Sequence, residues 1–145
     1  MKPSDTTLTR WPTRFLRLVA ALQLLTGLIV FLPESWLERW HIWVGLGPMP
    51  HDPMLLYVVR GAAYAQAAVG ALLWGIARDV ALHRPLVVIV GWIYFVGGPA
   101  FLIIDSTAGL PWFWCALDSV SCLVIGAILL SFAYRVSSAR ETVRS

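Results

Sequence analysis

A chain of 145 residues that is 59% hydrophobic and 13% charged has the composition of a bilayer protein rather than of a water-soluble domain. Its net charge of +3 comes from Lys and Arg gathered at the ends of apolar segments instead of in a patch, which argues against nucleic acid as a partner. Four apolar runs of spanning length, residues 15–32, 54–76, 86–104 and 112–132, use most of the chain and predict an all-α, four-transmembrane-helix bundle.

Residues 1–13 are polar, include two prolines and show no apolar periodicity, so the sequence predicts a loose N-terminal tail. The first apolar run then starts beside Arg14 and Arg17, which can snorkel to the headgroups. With Lys2 and Arg10 this start resembles a signal peptide, but the run is longer than an h-region and Pro33-Glu34-Ser35 is a poor cleavage site, so a retained helix is expected.

Pro33 ends that helix. In residues 34–45, Trp36, Trp40 and Trp43 recur at helical spacing on one face. Indole rings favour the membrane boundary, so a short amphipathic helix on the surface is expected, closed by the turn from Gly45 to Pro50. The second span follows Pro53. Its Gly61 and Ala65, and its Ala67, Ala71 and Gly75, are spaced by four and would form smooth stripes for helix packing.

A short polar hairpin around Arg78, Asp79, His83 and Arg84 leads to Pro85 and the third span. Gly97-Gly98-Pro99 interrupts that span; the bend expected there is either architectural or shapes a cavity. A tight connection, residues 105–111, brings the chain back with Trp112 and Trp114 as further interfacial anchors at the mouth of the fourth span. Cys115 and Cys122 are seven residues apart on it, about 10 Å along a helix, too far for a disulfide and best read as small packing residues. Residues 135–145 are polar and expected to form an exposed tail.

Lys2, Arg10, Arg14, Arg17, Arg78, Arg84, Arg135, Arg140 and Arg144 fall on one side, leaving Arg39 and three acids opposite. The positive-inside rule then predicts an inner (plasma) membrane protein with both termini cytoplasmic. Arg60 is seven residues past Pro53 and Asp118 seven past Pro111, which puts both about 10 Å below the outer surface. An unpaired charge at depth costs about 2.5 to 3.5 kcal/mol on insertion scales. An Arg60–Asp118 ion pair is therefore expected, with Asp105 as a second partner, and Tyr57, Tyr64, Gln66, Ser119 and His41 within reach as hydrogen-bonding groups.

Such a cluster either fixes helix register or lines an outward-opening polar pocket, and the residues alone leave both open. Catalytic and nucleotide-binding motifs such as HExxH, CxxC, GxSxG and the P-loop are absent, and His41, His51 and His83 are not at ligand spacing, so neither a metal nor a haem is expected.

The helix-one arginines, Arg60-Gly61 in the second span, a proline-led third span after a basic hairpin, the Asp105, Gly109 and Pro111 connection and Asp118 in the fourth together resemble the DoxX-like group of small four-helix membrane proteins. The resemblance spans nearly the whole chain and departs from that group in the tryptophan-rich insertion between the first two helices. It implies that Arg60, Asp105 and Asp118 are buried polar positions, and that a link to quinone-coupled redox chemistry exists in some members. Two functions follow as expectations: a non-catalytic subunit or accessory factor of a larger membrane complex, with membrane lipids and other subunits or further copies as partners; or a bundle that binds a lipid or quinone at its polar end. A transporter or channel is the weakest reading, because four helices without an inverted repeat offer little for alternating access.

Overall fold

The computed structural model describes residues 6–144, with side chains for residues 10–134. All regular elements among the described residues are helical: α1 (Thr6–Thr26) running into a 3-10 turn (Gly27–Phe31), α2 (Glu34–Trp43), α3 (Pro53–Ile76), α4 (Arg84–Thr107) and α5 (Trp112–Arg144). Four segments are long and apolar enough to cross a membrane, Arg10–Phe31, Pro53–Ile76, Arg84–Thr107 and Trp112–Tyr134. The chain divides into two compact units, one of Arg14–Arg78, the other running from Asp79 onward and including the start of α1 up to Thr13.

In the first of these units α1 and α3 form an antiparallel pair. Gly70 sits against the backbone of Ala20 and Leu24, and Gly27 meets Ala67, so the numbers rise on one helix as they fall on the other. A Cβ on Gly70 would lie 2.8 Å from both Ala20 O and Leu24 N, backbone atoms that cannot swing aside. Close approach of small residues supplies the dispersion contacts that hold helices together where no water is present to drive them.

The packing stripe thus differs from the one expected. Gly61, Ala65, Ala71 and Gly75 are exposed, and nothing lies within 4 Å of a Cβ placed on Gly61 or Gly75. Of the expected set Ala67 meets Gly27 at the start of the 3-10 turn; the residues that are buried are Ala63, Gly70, Leu73, Ile76 and Ala77. Spacing by four identifies a stripe but not which side of an all-apolar helix another helix will choose.

The connection from α1 to α3 is closed by local chemistry. Pro33 stops the 3-10 turn, and its carbonyl accepts from the amides of Trp36 and Leu37 to open α2. At the other end Gly45 takes φ +84°, which lets Leu46 N reach His41 O at 3.0 Å and Gly45 N reach Ile42 O at 3.0 Å. This pairing satisfies two of the helix's last carbonyls. Asp52 then caps α3, its carboxylate accepting from Met54 N at 2.8 Å, with Pro53 in the first turn.

In the second unit α4 and α5 pack antiparallel along glycines. Gly91 faces Leu129 and Leu130, Gly98 faces Ser119 and Leu123, and Gly126 faces Phe95 and Gly91. A Cβ on Gly126 would come within 2.5 Å of Phe95 N, so the two backbones are nearly in contact. Gly91 and Gly98 are seven apart, as are Ser119 and Gly126, the repeat that keeps one seam facing a partner helix. α4 continues through Pro99 to Thr107 and ends with Gly109 at φ +73°, Leu110 N donating to Asp105 O at 3.0 Å.

Both expected tails are shorter than predicted. Of residues 1–13, Met1 to Asp5 lie outside the described residues, and α1 already begins at Thr6, where Trp11 stacks at 5.7 Å on Phe132 and Pro12 is buried. At the other end α5 continues to Arg144, because neither glycine nor proline interrupts the chain after Phe132.

Candidate functional site

Arg60 is on the second turn of α3, partly covered, and its guanidinium Nη2 donates to Leu32 O at 3.2 Å. The reason lies in the partner strand of chain. Leu32 is extended, with ψ 137°, and Pro33 follows, so the helix cannot go on and the last carbonyls lack intrahelical donors. A cation suits that end of a helix on both hydrogen-bond and dipole grounds. Arg60 Nε is buried and has no partner.

Arg60 belongs to the unit of Arg14–Arg78 and Asp118 to the other, so the expected pair is one between units and each residue is described in its own surroundings; in the first unit His51 Nδ1 donates to Glu34 Oε1 at 3.0 Å. Every residue carries a carbonyl, so sequence highlights the opposite formal charge and hides the acceptor that Pro33 releases. Asp118 is partly covered, and Asp105 is its electrostatic neighbour in the same unit.

Asp105 is 5% exposed, and its Oδ2 has no hydrogen-bond partner. The Gly109 turn holds the end of α4 through Asp105's own backbone carbonyl, which accepts from Leu110 N at 3.0 Å. In the same unit Ser119 and Cys115 are buried, the Cys115 thiol pointing at the carbonyls of Leu110 and Pro111 at 3.6 Å each. Trp114 is half-buried with its indole Nε1 covered and unpartnered, so it is not a freely exposed anchor, whereas Trp112 is.

Other expected members fall elsewhere. Tyr64 is 70% exposed and Gln66 and Tyr57 are also exposed, so none of them belongs to a buried cluster. His41 turns to its own loop, Nδ1 donating to Gly47 O at 2.7 Å. Trp36, Trp40 and Trp43 are uncovered on the outer face of α2, while Leu37 on the opposite face is buried. The negative charges near His51 act on its imidazole: the Glu34 hydrogen bond, then Glu38 and Glu34 as charges, raise its pKa above the ordinary 6.5.

Sequence reasoning missed two features. Arg84 Nε donates to Ala133 O at 2.9 Å, a second arginine bound to a backbone carbonyl, and the glycine seam of α4 and α5 is visible only as a seven-residue repeat. Among the described residues no three His, Cys, Asp or Glu side chains are grouped to hold a metal. A cavity of about 10 Å³ beside Pro12, Arg84, Val87 and Phe132 has room for roughly one water and no larger guest. No protein-family model, curated protein or solved structure matches the chain.

Proposed function

We propose that the chain is a small integral protein of the inner (plasma) membrane, both termini cytoplasmic, that serves as a non-catalytic subunit or accessory factor of a larger membrane complex. The observation that carries this reading is a membrane-depth charge on α3, Arg60, whose Nη2 donates to the Leu32 carbonyl while its buried Nε has no partner among the described residues. Charges at that depth are retained where a partner group meets them. The exposed Gly61 and Ala65 face of α3, flanked by Tyr57 and Tyr64, offers a surface on which another helix can come close. Affinity purification of the tagged chain in mild detergent tests the reading: stoichiometric companions are expected, and a clean monomer counts against it.

A second reading, a bundle that holds a lipid or quinone as the DoxX-like resemblance implies, is favoured by Asp105 Oδ2 and Trp114 Nε1, polar atoms left unpartnered within one unit. A quinone carbonyl would accept from Trp114 Nε1, and a quinol hydroxyl would donate to Asp105 Oδ2. Mass spectrometry of the organic extract of the purified protein decides it, a stoichiometric quinone being expected and its absence removing the reading.

A further inference from the structure

Gly91, Gly98 and Asp105 follow one another at intervals of seven along α4, so the side that packs on α5 carries two glycines and then an acid. That position leaves Asp105 5% exposed, with Oδ2 lacking a hydrogen-bond partner among the described residues. A third glycine or an apolar side chain would close the seam without the cost of a buried acceptor that no donor meets. Packing alone therefore does not account for an acid there.

Asp118 stands across the same seam. Its neighbour Ser119 faces Gly98, and Asp105 is seven residues, about 10 Å, nearer the Gly109 turn. The helices are antiparallel and side chains lean toward the start of their own helix, so Asp105 leans back toward Gly98 and Asp118 forward toward the turn. The two carboxylates converge, and Asp118 feels Asp105 as a charge. Asp118 is only partly covered, which gives the buried acid a way to the surface of the unit. The bases of this unit, Arg10, His83 and Arg84, belong to its opposite end, where Trp11 stacks on Phe132 and Arg84 Nε donates to Ala133 O. Tyr94, Cys115 and Cys122 are the other titratable side chains along this stretch of the seam, and the Cys115 thiol is turned to the carbonyls of Leu110 and Pro111.

We infer that Asp105 and Asp118 form a site for one exchangeable monovalent cation, a proton or sodium, held between the two carboxylates. A carboxyl pair out of water is costly with both charges in place, and one shared cation removes half of that charge. Asp105 Oδ2 is the inner ligand atom, and Asp118 is the outer ligand through which the cation exchanges. The inference goes beyond membership of an assembly and stands without it: a chain without companions can hold the cation, and a chain with companions can lack it.

The test treats the full chain in phosphatidylcholine vesicles with dicyclohexylcarbodiimide, an apolar reagent that adds to protonated carboxyls, and reads the adduct by intact mass and peptide mapping. One adduct per chain is expected, on Asp105 or Asp118, at a rate that falls about tenfold per pH unit at the alkaline end, the slope of a single titrating proton. Sodium chloride at constant pH separates the two cations. Labelling slower than in choline chloride assigns sodium; equal labelling assigns the proton alone. Asp105→Asn combined with Asp118→Asn should remove the adduct. Two adducts per chain, a rate that ignores both pH and sodium, or an adduct that survives in the double variant overturns the inference. So does the absence of any adduct at every pH, whether the acids stay charged or a quinol covers Asp105. Should the double variant fail to fold, judged by helical circular dichroism, the wild type decides by itself, and an adduct mapped to any other carboxyl refutes the proposal.

Discussion

The two units are both antiparallel helix pairs with glycine at the seam, yet they treat their charges in opposite ways. Between α1 and α3 the connection is long, includes α2, and leaves a carbonyl at Leu32 that Pro33 has freed, and Arg60 reaches it. Between α4 and α5 the connection is a single glycine turn, so tight that Asp105 is carried into the interior with Oδ2 unpartnered. A long connection gives a charged side chain a backbone group to satisfy it; a tight turn has none to spare.

The seams differ in degree, and that sets the largest predicted effect. Gly126→Val should destabilise by about 3 kcal/mol or more, since overpacking costs 1–3 kcal/mol and here the added carbons meet the Phe95 and Gly91 backbone. Gly70→Ala should cost about 1–3 kcal/mol in the other unit, against Ala20 and Leu24. Gly61→Ala and Gly75→Ala, with open space around them, should stay within about 0.5 kcal/mol in the isolated chain. Thermal unfolding in one detergent ranks all four, and a Gly61 effect as large as that at Gly70 would reverse the assignment of the packing face.

The charge contrast gives the next effects. Arg60→Met should cost about 1–3 kcal/mol by leaving the Leu32 carbonyl without its charged donor. Asp105→Asn should cost little or raise stability slightly, because no donor is lost from Oδ2. Equal losses from the two substitutions would erase the distinction between a satisfied and an unsatisfied charge.

The smallest effect concerns the long connection alone. His51 has its pKa raised in the folded protein, so the Glu34 tether contributes fully below the ordinary histidine value near 6.5 and is lost as pH rises through the higher folded value. Tryptophan emission from α2 should therefore change as pH is raised above about 6.5. Glu34→Gln should flatten the change; an identical titration in that variant would show that the tether does not report on α2.

The spans and α2 were legible because length, hydropathy and proline punctuation act locally; α2 lies within residues 34–45, and α3 and α4 begin at or beside Pro53 and Pro85. Packing faces were not. In a helix apolar all round, Gly61–Ala65 and Ala63–Gly70 are equally plausible seams, and only the partner backbone selects between them. The candidate site was legible as residue types, Arg60, Asp105 and Asp118, but not as contacts, because the acceptor for Arg60 is a backbone group. Tyr64 and Gln66 are exposed on α3, and periodicity alone does not say which side of an apolar helix is covered.

The most direct test is native mass spectrometry of the full chain released from membranes in mild detergent. The account predicts a mass above the monomer, from further subunits or from further copies of the chain. A wild-type monomer that carries neither a second copy nor a companion would contradict it.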